Sequence, residues 1–339
     1  MTLKPTLQWL IAGNSLNQEQ MTEAMESIFS GQVSDSQIAA FLSLLAHKGE
    51  SVEEITAAAK VMRRLSQPVI SHNTLPLVDT CGTGGDGLHT FNISTASSFV
   101  VAAAGAAVAK HGGRSVSSTS GSVDVLEAMG IEVSQWHLSH VERSLERFHW
   151  TFMFAPNHHS AMKHTAHVRK DLGIRTIFNI LGPLTNPANA SCQVLGVFSG
   201  HLTATLVEVL KQLGSERAMV VHGHDGLDEI SLSGPTVVSE LRAGEITHYE
   251  ITPEQFGLKR TPLNALLVKN AMESMFFIDQ VLDNQEGPAR DIVALNAGAA
   301  IYVAGCAETL QEGVGKALEA IKTGAAKALR DRIKGAVHG

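Results

Sequence analysis

The sequence contains few cysteines, few aromatic residues and no excess of positive charge, and each shortage excludes a class of protein. Its 3 cysteines in 339 residues are widely spaced, which predicts free thiols and supports neither a disulfide framework nor a zinc site. Aromatic residues make up 5%, which offers few surfaces on which single-stranded nucleic acid could stack. The net charge of -7 gives no general attraction to nucleic acid or to an anionic membrane. We therefore expect neither partner.

Long apolar segments are also missing. The longest apolar run, from Phe99 to Ala109, is rich in Ala and shorter than the roughly 20 residues that a membrane helix needs. The first residues show no basic stretch followed by an apolar block, so a secretion signal is not expected. These observations predict a soluble, cytoplasmic protein. With 44% hydrophobic residues the chain can bury a sizeable core, and its length suits about two domains.

The start of the chain has the pattern of packed helices. Apolar residues recur there at helical spacing, for example at Ile38, Leu42 and Leu45, while turn signals are scarce. The character of the sequence changes at Pro68. We therefore predict an all-helical domain over residues 1–68.

From residue 69 onward the pattern alternates between strands and helices. A short apolar strand ends at Asp79 and runs into a glycine-dense loop. A helix is predicted from about Ser94 to Ala104 and a strand near Ala106 to Ala109. Such alternation predicts a mainly parallel central sheet flanked by helices, so we expect an α/β domain over residues 69–339. The stretch from Lys316 to Ala336 is predicted to be a single closing helix.

The glycine-dense loop, residues 82–87, has two possible interpretations. It satisfies the G-x-G-x-x-G pattern of a dinucleotide-binding turn, but the next helix begins only near Ser94, and the next strand ends in Lys110 where a ribose-binding acid would be expected. The favoured interpretation joins this glycine loop to residues 90–95, which are rich in the capping residues Asn, Ser and Thr. Glycine permits close approach, and the free amides of a first helical turn attract phosphate. The segment therefore predicts a cradle for a polyphosphate.

A basic loop follows the next predicted strand. Residues 110–118 combine the fixed charge of Lys110 and Arg114 with glycines and serine hydroxyls. An ammonium neutralises phosphate as a point charge, while amides and hydroxyls add directional hydrogen bonds, so this loop suits a phosphorylated sugar. Two such loops at consecutive strand ends should face one crevice.

An acidic pair lies at the end of another predicted strand. Asp228 and Glu229 follow a turn at Gly226, and Mg²⁺ prefers one or two protein carboxylates together with water and phosphate oxygens. A solvated surface pair is the alternative, but the neighbouring phosphate loops favour a metal site. The histidines at 158, 159, 164 and 167 lack the spacing of a metalloprotease helix, and we predict that they lie in loops and on helix surfaces.

Taken in order, these motifs resemble those of the anthranilate phosphoribosyltransferase family. The agreement covers nearly the whole chain. The segments that carry it are Gly82-Thr83-Gly84-Gly85-Asp86, Asn92-Ile93-Ser94-Thr95, Lys110-His111-Gly112, Gly121-Ser122, Arg169-Lys170-Asp171-Leu172-Gly173-Ile174-Arg175-Thr176, Phe178-Asn179-Ile180-Leu181-Gly182-Pro183-Leu184 and Asp228-Glu229.

The resemblance implies a fold and an activity. It implies a small helical domain, completed by a later segment at about residues 170–190, beside a larger α/β domain in a homodimer. The implied reaction transfers the 5-phosphoribosyl group of phosphoribosyl pyrophosphate to the amine of anthranilate and releases pyrophosphate with the help of Mg²⁺, a step of tryptophan biosynthesis.

The resemblance also implies roles for individual residues. Ser94, Asp228 and Glu229 would coordinate magnesium, Lys110 would stabilise the leaving pyrophosphate together with the acidic pair's metal, and Arg169 would face anthranilate. The residues expected to line the substrate site are Gly82, Gly85, Asp86, Thr90, Asn92, Ser94, Thr95, Lys110, His111, Gly112, Gly113, Ser118, Ser122 and Arg169.

Two departures from the family pattern concern the acceptor. Gly113 stands where the family usually has Asn, and His158 stands where it often has Tyr. Two rival interpretations stay open at this point. One is a pyrimidine nucleoside phosphorylase, which has a similar basic loop but would not need the acidic pair. The other is a catalytically silent relative that only binds.

Overall fold

The computed structural model describes residues 2–72, 74–114 and 120–336. Its helices and strands, in chain order, are α1 (Lys4–Ile11), α2 (Gln18–Phe29), α3 (Asp35–Lys48), α4 (Val52–Leu65), β1 (Leu77–Gly82), α5 (Ile93–Ala103), β2 (Ala107–Gly112), α6 (Ser122–Ala128), α7 (Leu138–Phe148), β3 (Trp150–Phe154), α8 (Ala155–His158), α9 (Lys163–Leu172), α10 (Phe178–Leu181), β4 (Cys192–Gly196), α11 (Leu202–Gln212), β5 (Arg217–Gly223), β6 (Thr236–Arg242), β7 (Glu245–Ile251), α12 (Ala271–Leu282), α13 (Pro288–Val303), α14 (Leu310–Lys322) and α15 (Ala325–Ala336).

Helices α1 to α4 form a helical unit, and the later helices α9 and α10 pack against it. Local sequence signals begin α2 and α4: the Asn17 and Ser51 side chains each accept a hydrogen bond from the third residue of the helix, which returns the bond through its own side chain. Such reciprocal caps satisfy amides that the helix leaves free. The apolar faces of α2 and α3 meet in a shared core with α10, so a segment distant in sequence completes the helical unit.

The central sheet has seven strands in the order β3-β2-β1-β4-β5-β6-β7. The first five are parallel, whereas β6 pairs antiparallel with both β5 and β7. The prediction of a mainly parallel sheet flanked by helices is confirmed. Its antiparallel edge was not predicted, because the turn between β6 and β7 is Ala243-Gly244, both at positive φ, and lacks the Asn-Gly or Asp-Gly signal of a tight hairpin.

The strand order creates a crevice at one end of the sheet. The chain leaves β1 toward β2 and β3 on one side, then returns to place β4 on the other side. Ligands of open α/β sheets bind at the carboxyl ends of the strands that flank such a switch point. β1 and β4 end in register there, with Gly82 opposite Gly196.

Two further sequence expectations can be compared with the fold. The single closing helix is wrong: α14 ends at Lys322, α15 begins at Ala325, and Gly324 between them has a φ of 74°. Left-handed glycine is the common way to end a helix. The three cysteines are free, as predicted. Within residues 2–72, 74–114 and 120–336, the helices are all too short or too polar to cross a membrane.

Candidate active site

A cavity of about 370 Å³ lies at the carboxyl ends of β1 and β2. The glycine loop, the start of α5, the basic loop and the acidic pair all contribute to its wall, so the loops that the sequence placed in one crevice do meet. The expected site residues that line it are Gly82, Gly85, Asp86, Thr90, Asn92, Ser94, Lys110, His111, Gly112, Gly113, Ser122, Arg169, Asp228 and Glu229.

One expected residue does not belong to this wall, and the place of another is not described. Thr95, in the first turn of α5, is completely buried and does not line the cavity. Ser118 lies outside the residues that the structure describes.

The glycine loop needs its glycines for backbone geometry. Gly84, Gly85 and Gly87 all have φ between 63° and 76°, a region that side chains disfavour. The exit of the loop is tied to a distant segment by hydrogen bonds from Phe91 N to Leu266 O (3.0 Å) and from Val268 N to His89 O (2.9 Å). The loop is thus held at its far end by residues some 175 positions later in the chain.

The start of α5 differs from the sequence expectation. Asn92 occupies the cap position, but its side chain accepts no hydrogen bond from the helix. The free amide of Ser94 instead donates to Glu229 Oε1 at 3.2 Å. A carboxylate from another strand end therefore occupies the positive end of the helix, where anions are stabilised. The capping pattern predicts the position of Asn92 correctly, but its side chain forms no cap, and the attraction of this helix end for negative charge is met by Glu229.

Lys110 lies at the floor of the cavity. Only 1% of its surface is exposed, and its ammonium donates to the carbonyl of Thr80 and to Ser94 Oγ (3.1 Å). It therefore joins β1, β2 and α5 beneath the ligand space. A buried ammonium needs compensating partners, and here oxygen atoms of both neighbouring elements supply them.

Asp79, which the sequence analysis did not select, supports the same floor. It is fully buried, and its carboxylate accepts hydrogen bonds from His111 N (3.2 Å) and Asn186 Nδ2 (2.7 Å). Burial raises the pKa of Asp79 to about 6, and the nearby charge of Lys110 opposes that rise. The only signal at Asn186 was an Asn-Pro dipeptide, which marks a turn and says nothing of a partner.

Two glycines make room for Asp228. Asp228 Oδ2 accepts a hydrogen bond from Gly84 N at 2.8 Å. A Cβ atom on Gly82 would lie 2.5 Å from that carboxylate oxygen, and a Cβ on Gly196 would overlap the Asp228 carbonyl. Gly196 was missed by the sequence analysis because a glycine at the end of a strand carries no local signal for this contact.

Burial and neighbouring negative charge raise the pKa values of both residues of the acidic pair. Burial raises the pKa of Asp228 well above its ordinary value, and the charges of Asp86 and Glu229 raise it further. Burial also raises the pKa of Glu229 to about 7, against the opposing effect of Lys110. Carboxylates that resist ionisation because they are buried beside like charges are stabilised in their charged form by a cation.

This chemistry fits magnesium. Among the described residues there is no preassembled cage of three or more His, Cys or acidic ligands. Mg²⁺ does not require one, because it is usually held by one or two carboxylates, water and substrate phosphates. Asp228, Glu229 and the hydroxyl of Ser94 are oxygen donors that line the cavity.

The opposite wall comes from the helical unit. Arg169 of α9 lies with its guanidinium 5.1 Å from the centre of the Phe178 ring, and both line the cavity. Burial lowers the pKa of Arg169, though a guanidinium stays charged at neutral pH. This wall therefore offers a cation beside an aromatic surface.

Two buried histidines stand behind the basic loop. The rings of His111 and His159 lie 5.1 Å apart, and neither Nε2 atom has a hydrogen-bond partner. Burial lowers the pKa of His159 to about 4 and that of His111 well below its usual range, so both are neutral at pH 7. His159 lies in a loop as predicted, although only 7% of its surface is exposed. The prediction of a helix-surface position is wrong for His158, which is in α8 and 4% exposed.

Arg114, in contrast, contributes little free charge. Its guanidinium pairs with Asp124 (2.8 Å) and Glu127 (2.9 Å) on α6. Lys110 and Arg114 of the basic loop both line the cavity, and the charge of the arginine is paired because it anchors the loop to the next helix.

Comparison with known proteins agrees with this architecture. One model, described as the glycosyl transferase family helical bundle domain, matches residues 4–66, and the a/b domain of the same family matches residues 74–327. An anthranilate phosphoribosyltransferase from Nitrosomonas eutropha is 57% identical over 91% of this chain and 90% of its own. A second, from Nitrosomonas europaea, is 54% identical over 96% of each chain.

Solved structures show the same fold. The enzyme from Thermus thermophilus superposes with a TM-score of 0.92 at 42% identity, covering 98% of this chain and 99% of its own. The Saccharomyces cerevisiae enzyme in complex with phosphoribosyl pyrophosphate and Mg gives 0.90 at 27% identity, covering 99% and 98%. The yeast enzyme with 4-fluoroanthranilate gives 0.89 at 26% identity, covering 99% and 97%. By its sequence identity, its matched domains and its fold, this chain belongs to the anthranilate phosphoribosyltransferase family.

Proposed function

We propose that this chain transfers the 5-phosphoribosyl group of phosphoribosyl pyrophosphate to the amine of anthranilate and releases pyrophosphate, a step of tryptophan biosynthesis. The observation that carries the proposal is the single cavity in which the glycine loop, Lys110 and the acidic pair meet. A doubly phosphorylated sugar needs all three: close backbone approach, fixed positive charge and a carboxylate-bound cation.

The donor substrate would lie along the floor of the cavity. The glycine loop and the first turn of α5 offer backbone amides, and Lys110 offers an ammonium that is already fixed by Thr80 and Ser94. Asp228, Glu229 and Ser94 would hold Mg²⁺, which supplies charge neutralisation for the diphosphate. The raised pKa values of the two carboxyls support this role, because burial and neighbouring negative charge disfavour their ionised forms and a bound cation would stabilise them.

In the proposed reaction, the bond between C1 of the ribose and the pyrophosphate oxygen breaks, and a bond from C1 to the amine nitrogen forms. Lys110 stabilises the negative charge that grows on the leaving pyrophosphate, and this preorganised charge costs no rearrangement during the reaction. The neutral aromatic amine attacks the opposite face of C1 and then loses a proton. Positioning and charge stabilisation therefore account for most of the catalysis.

Anthranilate would lie against the wall from the helical unit. Arg169 offers a cation for its carboxylate, and Phe178 lies beside that arginine. Pro183 and Gly182 close the same side of the cavity. The yeast relative that binds 4-fluoroanthranilate shares this fold, which supports an aromatic acid as the acceptor.

The decisive experiment mixes both substrates with Mg²⁺ and follows the fluorescence of anthranilate as it is consumed. We expect turnover that requires all three components. Binding of phosphoribosyl pyrophosphate without turnover would instead indicate a silent relative. Phosphate-dependent cleavage of thymidine or uridine would indicate a nucleoside phosphorylase.

We also propose that the chain works as a cytoplasmic homodimer. The helical unit exposes large apolar side chains on α1, with 47% of Trp9 and 71% of Ile11 accessible, and such residues are common at subunit interfaces. Light scattering should give about twice the chain mass of 36.1 kDa. The variant Ile11→Lys should shift the protein toward the monomer; an unchanged dimer would remove α1 from the interface.

A further inference from the structure

Ser274 lies outside every motif that points to the active site, yet it contacts one of the cavity residues. It is on α12, is completely buried and does not line the cavity. Its hydroxyl lies 2.9 Å from the backbone nitrogen of Asn92 and 2.7 Å from Asn92 Oδ1. The two residues are 182 positions apart in sequence.

The two contacts fix the direction of the serine hydrogen. The backbone N–H of Asn92 is a donor, so Ser274 Oγ must accept that bond. Its single hydrogen is donated to Asn92 Oδ1 at 2.7 Å. Ser274 therefore accepts a hydrogen bond from the backbone of Asn92 and donates one to its amide oxygen.

Ser120 holds the Asn92 amide in the same orientation through two further contacts. Its carbonyl, which can only accept, receives a hydrogen bond from Asn92 Nδ2 at 3.2 Å, and its hydroxyl lies 3.1 Å from Asn92 Oδ1. The Asn92 amide is therefore held in one of its two possible orientations. Its oxygen faces protein hydroxyls, and one of its two N–H groups is bound to protein.

The second N–H of that amide is left for a ligand. Asn92 lines the cavity, and the described residues offer no other acceptor to Nδ2. A neutral N–H donor at this point suits an oxygen of the sugar diphosphate, either on a phosphate or on the ribose. If the amide were reversed, its oxygen would face the anionic ligand and repel it.

We propose that Ser274 is a positioning residue that orients the Asn92 amide so that it donates to phosphoribosyl pyrophosphate. The inference rests on the proposed function and deepens it. Ser274 itself does not touch the substrate, so removal of its hydroxyl should weaken the binding of the donor substrate and leave the acceptor side unchanged.

The test measures the Kd of phosphoribosyl pyrophosphate with Mg²⁺ by calorimetry in Ser274→Ala, Asn92→Ala and the double variant. Loss of one orienting hydrogen bond should raise the Kd about tenfold in Ser274→Ala, which corresponds to ~1.4 kcal/mol. The KM for anthranilate should stay within about twofold of the wild type, since its wall is made by other elements. In the Asn92→Ala background, Ser274→Ala should raise the Kd by less than about a further twofold, because the side-chain amide that Ser274 would orient is absent.

Ser144→Ala is the matched control. Ser144 is also a buried helical serine, 4% exposed, and it does not line the cavity. Its hydroxyl donates a hydrogen bond to Trp150 O at 2.7 Å. It should lower the thermal stability about as much as Ser274→Ala and leave the Kd unchanged. Ser274→Cys, a variant of similar shape with a weak donor, gives a second measurement if the alanine variant does not fold, and its Kd should lie between those of wild type and Ser274→Ala.

The outcomes separate the inference from the proposed function. A wild type that neither binds nor turns over phosphoribosyl pyrophosphate would overturn both. A wild type that is active, with Ser274→Ala binding equally tightly, would overturn only the role of Ser274. An effect of Ser274→Ala that is as large in the Asn92→Ala background would also overturn it, because the serine would then act on something other than the asparagine.

Discussion

The backbone of Asp228 lies directly against Gly196, at a place where no side chain could fit. Gly196 is the last residue of β4, and its register partner Gly82, at the end of β1, faces the carboxylate of the same aspartate. Two glycines that face each other on adjacent strands thus leave the space that Asp228 occupies. The position of the proposed metal ligand depends on the absence of two Cβ atoms.

Gly196→Ala should therefore displace Asp228. Because the clash is with backbone, which cannot move aside like a flexible side chain, we expect turnover to fall by at least about 100-fold. The far-UV circular dichroism should stay close to that of the wild type. Gly234→Ala is the control, since a Cβ there meets no atom within 4 Å, and it should keep full activity. A fully active Gly196→Ala would show that Asp228 need not hold its observed position.

Removal of both charges of the acidic pair should abolish turnover without lowering the stability of the fold. In the variant Asp228→Asn with Glu229→Gln, turnover should collapse and the Mg²⁺ requirement should change, since the cation loses its protein ligands. The raised pKa values of both carboxyls show that their charged forms are unfavourable in the fold without metal. Thermal unfolding without Mg²⁺ at neutral pH should hence give a Tm equal to or above that of the wild type. Unchanged activity with the original metal dependence would refute the carboxylate role.

The free energy of unfolding should depend on pH in part through the ionisation of Glu229. Its pKa is raised from 4.5 to about 7, so the folded state holds the proton more tightly, and the associated stability is present below about pH 4.5 and lost as the pH rises through 7. His159, with its pKa lowered from 6.5 to about 4, acts in the opposite direction over an overlapping range. A comparison with a variant that lacks only the carboxyl is therefore needed.

Glu229→Gln provides that comparison. Without Mg²⁺, its free energy of unfolding should increase relative to the wild type by at least about 1 kcal/mol between roughly pH 5 and roughly pH 8. Urea unfolding at a series of pH values measures the difference. Parallel curves for the two proteins would mean that Glu229 ionises normally in the fold.

Gly113→Asn should strengthen acceptor binding. Among the described residues, a Cβ at Gly113 meets nothing within 4 Å, and Gly113 has an ordinary φ, so an asparagine side chain fits there without displacing any of those residues. It would restore the amide that the family usually has at this position, and we expect the Kd for anthranilate to fall by a factor of about 3 to 10. Calorimetry with phosphoribosyl pyrophosphate present measures it. A weaker or unchanged Kd would contradict this interpretation of Gly113.

The crossing of α13 and α14 should be the most sensitive part of the C-terminal core. A Cβ on Gly298 would lie 2.6 Å from the backbone of Val314, so Gly298→Ala should cost at least about 1 to 3 kcal/mol through overpacking. Gly315→Ala, on the exposed side of α14, meets nothing within 4 Å and should instead stabilise the helix by ~0.5 to 1 kcal/mol. Urea unfolding distinguishes the two. Equal effects would show that the helices can separate to admit the methyl group.

The elements that carry the site were predictable because their signals are local. The helix expected at 94–104 is observed as Ile93–Ala103, and the glycine, basic and acidic segments do lie at strand ends. The strand expected to end at Ala109 continues to Gly112. Lys110 and His111 indicate a loop, because polar residues are seldom buried. Here they continue the strand, because Thr80 and Ser94 accept hydrogen bonds from Lys110 and Asp79 accepts one from the backbone of His111.

What sequence reasoning missed depends on partners far along the chain. Gly196, Asn186 and Ser274 are common residues in ordinary strand, turn and helix positions, and their importance comes from Asp228, Asp79 and Asn92 respectively. The wrong prediction of a single closing helix has a different cause. One glycine costs a helix only about 1 kcal/mol, so periodicity on both sides of Gly324 favoured continuity.

The long separation between Asn92 and Ser274 has a consequence during synthesis on the ribosome. A nascent chain that has emerged only as far as β5 carries every strand of the parallel sheet and both phosphate loops, yet it lacks the hydroxyl that orients Asn92 and the segment near Leu266 that ties down the glycine loop. Domains can fold while translation continues, but on this arrangement the full affinity that we propose for a sugar diphosphate is reached only when α12 has left the exit tunnel.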